Sequence, residues 1–112
     1  MSKESKEYLR HINDECSYLI SISENLEFND FIENETLKRA VIRSLEIIGE
    51  ATKKIPSDFK IIWHMMPWKN MAGMRDRLIH DYMGVNYAIV WDVIINKIPD
   101  LQKQISAILN KE

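Results

Sequence analysis

Apolar residues recur at three- and four-residue steps along most of this chain. From about Lys3 to Asn25 they are Leu9, Ile12, Cys16, Leu19, Ile20 and, just beyond, Leu26, the stripe of an amphipathic helix. Asn29, Asp30 and Asn34, all helix-capping types, mark a break, and Phe28 and Phe31 are expected to pin that connection onto the body. A second stripe, Leu37, Val41, Leu45, Ile48 and Ala51, widened by Ala40 and Ile47, predicts a helix from about Glu35 to Lys54. Lys53 and Lys54 suit the negative end of its dipole, and Pro56 stops it. Gly49 inside this helix points to a close approach of another backbone, since a mid-helix glycine costs about 1 kcal/mol against alanine.

Residues 57 to 66 read as a connection or short helix rich in apolar side chains, Phe59, Ile61, Ile62, Trp63, Met65 and Met66. So much apolar surface in a connection is expected to cover a core or an interface. Pro67 opens the next helix at a position where its missing N–H is harmless, and Gly84 closes it. Asn86 caps a helix from Tyr87 to Lys97 that is apolar almost all round, hence buried or half-covered by a second chain. Pro99 is expected to start a final helix with Leu101, Ile105 and Ile108 inward.

The pattern therefore predicts an all-α fold, four or five helices in one domain spanning residues 1–112, with a core large enough to need no staples. Cys16 is the sole cysteine and lies inside an apolar stripe, so it reads as a small core residue in a chain suited to a reducing compartment. No apolar run reaches membrane-span length and the first residues lack a signal-peptide pattern, so a cytoplasmic protein with no membrane contact is expected. His11 and His64 have no partners at metal-ligand spacing, and neither a metal nor a cofactor is called for. The net charge of −2 argues against a general nucleic-acid coat, but residues 53–80 carry six cations against Asp58 and Asp76, a net +4, which leaves −6 elsewhere. A basic surface on an acidic body fits a specific polyanion site, though a small domain also shows such unevenness by chance.

The chemistry concentrates in the helix after Pro67, at Arg75-Asp76-Arg77-Leu78-Ile79-His80-Asp81-Tyr82. At about 100° per residue, Arg75 and His80 point about 140° apart. Asp76 and His80 are nearly in line, so the carboxylate can fix the imidazole's tautomer and favour its charged form; the same spacing also suits an ordinary helix-stabilising pair, as does Arg77–Asp81. Gly73, Asp76 and His80 form one edge; Met71, Arg75, Leu78 and Tyr82 form another. A two-fold pair of chains would let the His80 edge of one subunit and the Arg75 edge of its partner border a common cleft.

These residues resemble the R-x4-H-x-Y motif of HepT-like proteins in the HEPN superfamily. AVIRSLEIIGEATKKIP (Ala40 to Pro56) is similar to that family's I-G-E-A helix, PWKNMAGMRDRLIHDYMGV (Pro67 to Val85) to its P-W…R-(N/D)-x-x-x-H-x-Y segment, and Trp91 to the tryptophan of its following helix. The likeness covers roughly residues 5 to 110. It implies an all-α up-and-down bundle, homodimeric around the motif helix, acting as the toxin of a type VII HEPN/nucleotidyltransferase toxin–antitoxin system. On that resemblance the chain is a metal-independent RNA endonuclease with Arg75 and His80 catalytic, Asp76 supporting, and Arg77 and Lys69 at the phosphate. The minimal nucleotidyltransferase antitoxin would silence it by transferring AMP to Tyr82. Asp76 stands where asparagine is more usual; an anion there repels RNA phosphate while making His80 a stronger base. The alternative is a non-catalytic helical module that binds nucleotide or a nucleotidyltransferase partner.

Overall fold

The stripe read in the first helix is the one that is buried. In the computed structural model, which describes residues 3–79 and 85–111 and not the side chains of Arg75, Arg77, Leu78 and Ile79, α1 runs Lys3–Ser23 with Leu9, Ile12, Cys16 and Leu19 fully enclosed. Asn25, at φ 61°, turns the chain out of α1 in the left-handed conformation that asparagine tolerates better than most residues. His11 is exposed, as its position beside the stripe predicts.

The expected break at residues 27–34 contains a short helix, α2 (Phe28–Glu33). Asp30 accepts from the Glu27 backbone N–H at its start. At its end Asn34 serves two helices: its N–H donates to Phe31 O at 3.2 Å, and its Oδ1 accepts from Leu37 N at 3.0 Å, capping α3 (Glu35–Lys54). Phe31 is the pin. It is fully buried, stacks on Trp91 with ring centroids 5.3 Å apart, and meets Tyr87 edge-on, while Phe28 meets Trp91 edge-on from further out.

Helix α3 buries Val41, Leu45, Ile48, Gly49 and Ala51, and packs against both α1 and α5 (Trp68–Ile79). Its buried hydroxyls are satisfied: Thr52 donates to Ile48 O at 2.7 Å, and Ser44 reaches Glu15 of α1 at 2.8 Å. Between α3 and α5 the connection forms α4 (Ser57–Ile62). Its two faces differ. Phe59 and Met66 are buried and Trp63 is partly so, whereas Ile61, Ile62 and Met65 stand 60 to 71 % exposed.

After residue 85 the structure departs from expectation. Instead of two helices divided at Pro99, one helical run extends from α6 (Tyr87–Asp92) through a π turn (Val93–Lys97) into α7 (Ile98–Lys111). A proline at position 99 lacks an N–H and would crowd the carbonyl of Ile95 in a regular helix. The π turn lies immediately upstream, and Ile98 N–H bonds to Val93 O, five residues back, so the register has already slipped where the ring must fit. The buried positions of the run, Val90, Ile94, Ile98, Leu101, Ile105 and Ile108, follow that slip. Two consecutive four-residue steps would drift about 80° on an ideal helix, and the wider turn takes up the drift. Asn86 caps the run, its Oδ1 accepting from Ala88 N and Ile89 N.

The described residues are helical with no strand among them, and no helix among them is long and apolar enough to cross a membrane. Phe31→Ala should lower unfolding free energy by about 3–5 kcal/mol in urea titrations, because it removes a fully enclosed ring. Burial, reinforced by the neighbouring Glu15 charge, pushes the Cys16 thiol up to about 12. The folded protein should therefore resist a thiol-specific disulfide reagent at pH 8 and release one equivalent only on unfolding. A folded-state value above the unfolded 9.0 also means that this contribution is complete below about pH 9 and is lost as pH rises towards 12.

Candidate functional site

The start of α5 is fixed by its neighbours. Met71 N bonds to Pro67 O at 2.9 Å, Trp68 Nε1 donates to Trp63 O at 3.0 Å, and Phe59 meets the Trp68 ring edge-on. Met71 is fully buried, and with Met74 partly so it seats α5 on the core. Trp63 and Met66, expected to cover a core or an interface, turn with Trp68 onto the subunit's own core, while Met65, Ile61 and Ile62 stay out.

The edge bearing Gly73 and Asp76 is open. Among the described residues, a Cβ placed on Gly73 would meet nothing within 4 Å. Asp76 is about half exposed, and its carboxylate lies 3.3 and 3.4 Å from Lys53 Nζ of α3. Lys69, in the first turn of α5, is exposed. Arg75 and Arg77 belong to the helical backbone of α5, their side chains being outside the described residues. His80 and Tyr82 lie outside the described residues altogether, as does Gly84.

Lys53 was not among the site residues expected from sequence. In one dimension it is a last-turn lysine suited to a helix dipole. Its place beside Asp76, 23 positions on, follows from the packing of α3 against α5, which no local pattern contains. Among the described residues no group of three or more His, Cys, Asp or Glu is arranged to hold a metal ion, and His64 is exposed.

A hollow of about 320 Å³ opens between α5 and the last helical run, walled by Met74, Ile89, Val93 and Leu101, with Lys97 and Asp100 at its polar side. Val93 and Lys97 are the two ends of the π turn, so the slipped register helps to shape this wall. Ile89 and Ile95 remain 49 and 39 % exposed while Val90 and Ile94 are buried. The helix expected to be apolar all round therefore buries one side and leaves apolar groups on the other.

The sequence is similar to known proteins over most of its length. A family profile described as "Ribonuclease HepT-like" matches residues 12–108. A "Putative RNase" of Caldanaerobacter subterraneus is 50% identical over 110 residues, covering 98% of each chain. A "Putative RNase" of Methanocaldococcus jannaschii is 42% identical, covering 96% of this chain and 88% of its own. A "Probable ribonuclease HepT" of Thermococcus cleftensis is 41% identical over 91% of this chain and 93% of its own. No solved structure matches the sequence. With the family profile spanning all but the ends and relatives aligned nearly end to end, the chain belongs to the HepT-like ribonuclease family.

Proposed function

We propose that this protein is a metal-independent RNA endonuclease, the toxin of a two-component pair, acting in the cytoplasm as a homodimer built around α5. The observation that carries the proposal is the family match over residues 12–108, together with the spacing of Arg75, His80 and Tyr82 within it. RNA supplies its own nucleophile. Attack of a 2′-hydroxyl on the adjacent phosphorus forms a 2′,3′-cyclic phosphate and releases a 5′-hydroxyl, so the protein has only to move two protons and steady the charge on the phosphate.

His80 suits the proton transfers, because an imidazole titrates near neutrality. With two subunits, one His80 can take the proton from the 2′-hydroxyl while the other delivers one to the departing 5′-oxygen. Arg75 suits the phosphate, as a planar guanidinium donates two parallel hydrogen bonds to its oxygens. Arg77 and the exposed Lys69 add positive charge for the flanking backbone. The apolar groups left out on α4 and α6, with the hollow beside α5, offer surface for a second copy.

Tyr82 is proposed as the acceptor for AMP from a minimal nucleotidyltransferase partner. The tethered phosphate would compete with RNA for Arg75 at high effective concentration. A second reading keeps the partner but not the cleavage: a helical module that binds nucleotide or the transferase, favoured by the anionic Asp76 beside Arg75.

Purified protein should cleave RNA in the presence of a chelator and leave cyclic phosphate ends. Arg75→Ala and His80→Ala should each slow cleavage by about 10²–10⁴-fold. Cleavage that persists in both variants would refute the assignment, and partner binding without cleavage or growth inhibition would favour the second reading. Incubation with the transferase and ATP should add whole AMP masses to Tyr82 and suppress cleavage. A Tyr82→Phe protein that is labelled and silenced equally well would remove Tyr82 from the scheme.

A further inference from the structure

The contact between α3 and α5 places a cation where sequence alone shows an anion. Lys53 Nζ stands 3.3 and 3.4 Å from the two carboxylate oxygens of Asp76, and the side chains are 43 and 47 % exposed. The pair joins two separate helices, so the packing of α3 on α5, and not a local helical repeat, brings the charges together. Asp76 directly follows Arg75, and beside it, among the described residues, nothing stands within 4 Å of a Cβ placed on Gly73.

An ion pair this exposed adds little to folding. Its consequence lies in the field at the site. A unit charge a few ångströms from a phosphate changes affinity roughly fivefold even in water, and an uncompensated carboxylate beside Arg75 would also attract the guanidinium meant for RNA.

Resting on the ribonuclease reading above, we propose that Lys53 is an RNA-positioning residue of this site. It cancels the charge of Asp76, so that the phosphate backbone meets a net cationic edge. The lysine's flexible stem suits that role better than a locked fork would, since the ammonium can follow either the carboxylate or a phosphate as the strand arrives. Asp76 then behaves as a built-in counter-charge that sets how strongly the site holds RNA, with Lys53 as the other half of the balance.

The proposal makes a signed prediction for four proteins: wild type, Lys53→Met, Asp76→Asn and the double variant. Binding of a mixed-sequence, 2′-O-methylated single-stranded RNA, which lacks the attacking hydroxyl, is measured by fluorescence anisotropy across a salt series. A pH of about 8.5 keeps an ordinary imidazole neutral. Lys53→Met should weaken binding roughly fivefold and Asp76→Asn should tighten it by a similar factor. The double variant should return close to wild type, and Lys53→Arg should bind as wild type does. The salt slope should flatten in Lys53→Met and steepen in Asp76→Asn, by at most about 0.7 for the one charge.

All the variants should unfold at nearly the wild-type temperature. With the uncleavable RNA, a shift of both single variants in the same direction, or a double variant as weak as Lys53→Met, would overturn the charge-balance role. It would leave the ribonuclease assignment standing wherever the wild type cleaves RNA. A wild type that neither binds nor cleaves RNA would overturn both.

Discussion

The burial of one face of α3 between α1 and α5 is the constraint on which the rest of the molecule depends. Val41, Leu45 and Ile48 are buried where α3 packs against both neighbours. Once α1 supplies Leu9, Ile12, Cys16 and Leu19, and α5 supplies Met71, the remaining elements have defined places. The connection α4 lies down on Phe59 and Met66, and the last helical run completes the enclosure with Ile94, Ile98, Leu101 and Ile105. The same contact fixes which side of α5 is spoken for. Met71 faces the core, so Gly73 and Asp76 are left at the open edge, and the end of α3 arrives beside them carrying Lys53.

Much of this was legible in one dimension because helices announce themselves by period. The buried stripes of α1 and α3, the caps at Asn34 and Asn86, the core role of Cys16 and the anchoring by Phe31 all follow from local spacing and residue type. What escaped was non-local or required two residues to be weighed together. The direction in which Trp63 and Trp68 turn depends on each other, through the bond from the Trp68 indole to Trp63 O, and on Phe59. A tryptophan in a connection fits a partner's surface and its own core equally well until that geometry is known. Pro99 misled for a different reason: a proline is a good first residue of a helix, and that rule prevailed over the rarer device of a widened turn.

The candidate site divides along the same line. Its residue types and their order are local facts, and the family likeness rests on them. Its electrostatics are not. The sequence presents Asp76 as a lone anion between two arginines, an awkward neighbour for a phosphate. The fold supplies a lysine from an element that ends more than 20 residues earlier. Charge counted along a chain does not say which groups are paired across a surface, and a polyanion responds to the surface.

The π turn has a consequence for how the chain tolerates change in length. It houses, in effect, one supernumerary residue within an otherwise regular spiral, and everything beyond it is phased to that insertion. Deleting a single residue between Val93 and Lys97 would relax the bulge into ordinary α-helix and leave the downstream segment near its present bearing, because Val90 and the present Ile98 would then be seven positions and about 20° apart. A deletion beyond the bulge has no such slack: between Ile98 and Leu101 it would turn Ile105 and Ile108 by about 100°, off the core. In this molecule the cost of losing one residue from the last helical run is thus set by whether the widened turn can give it up.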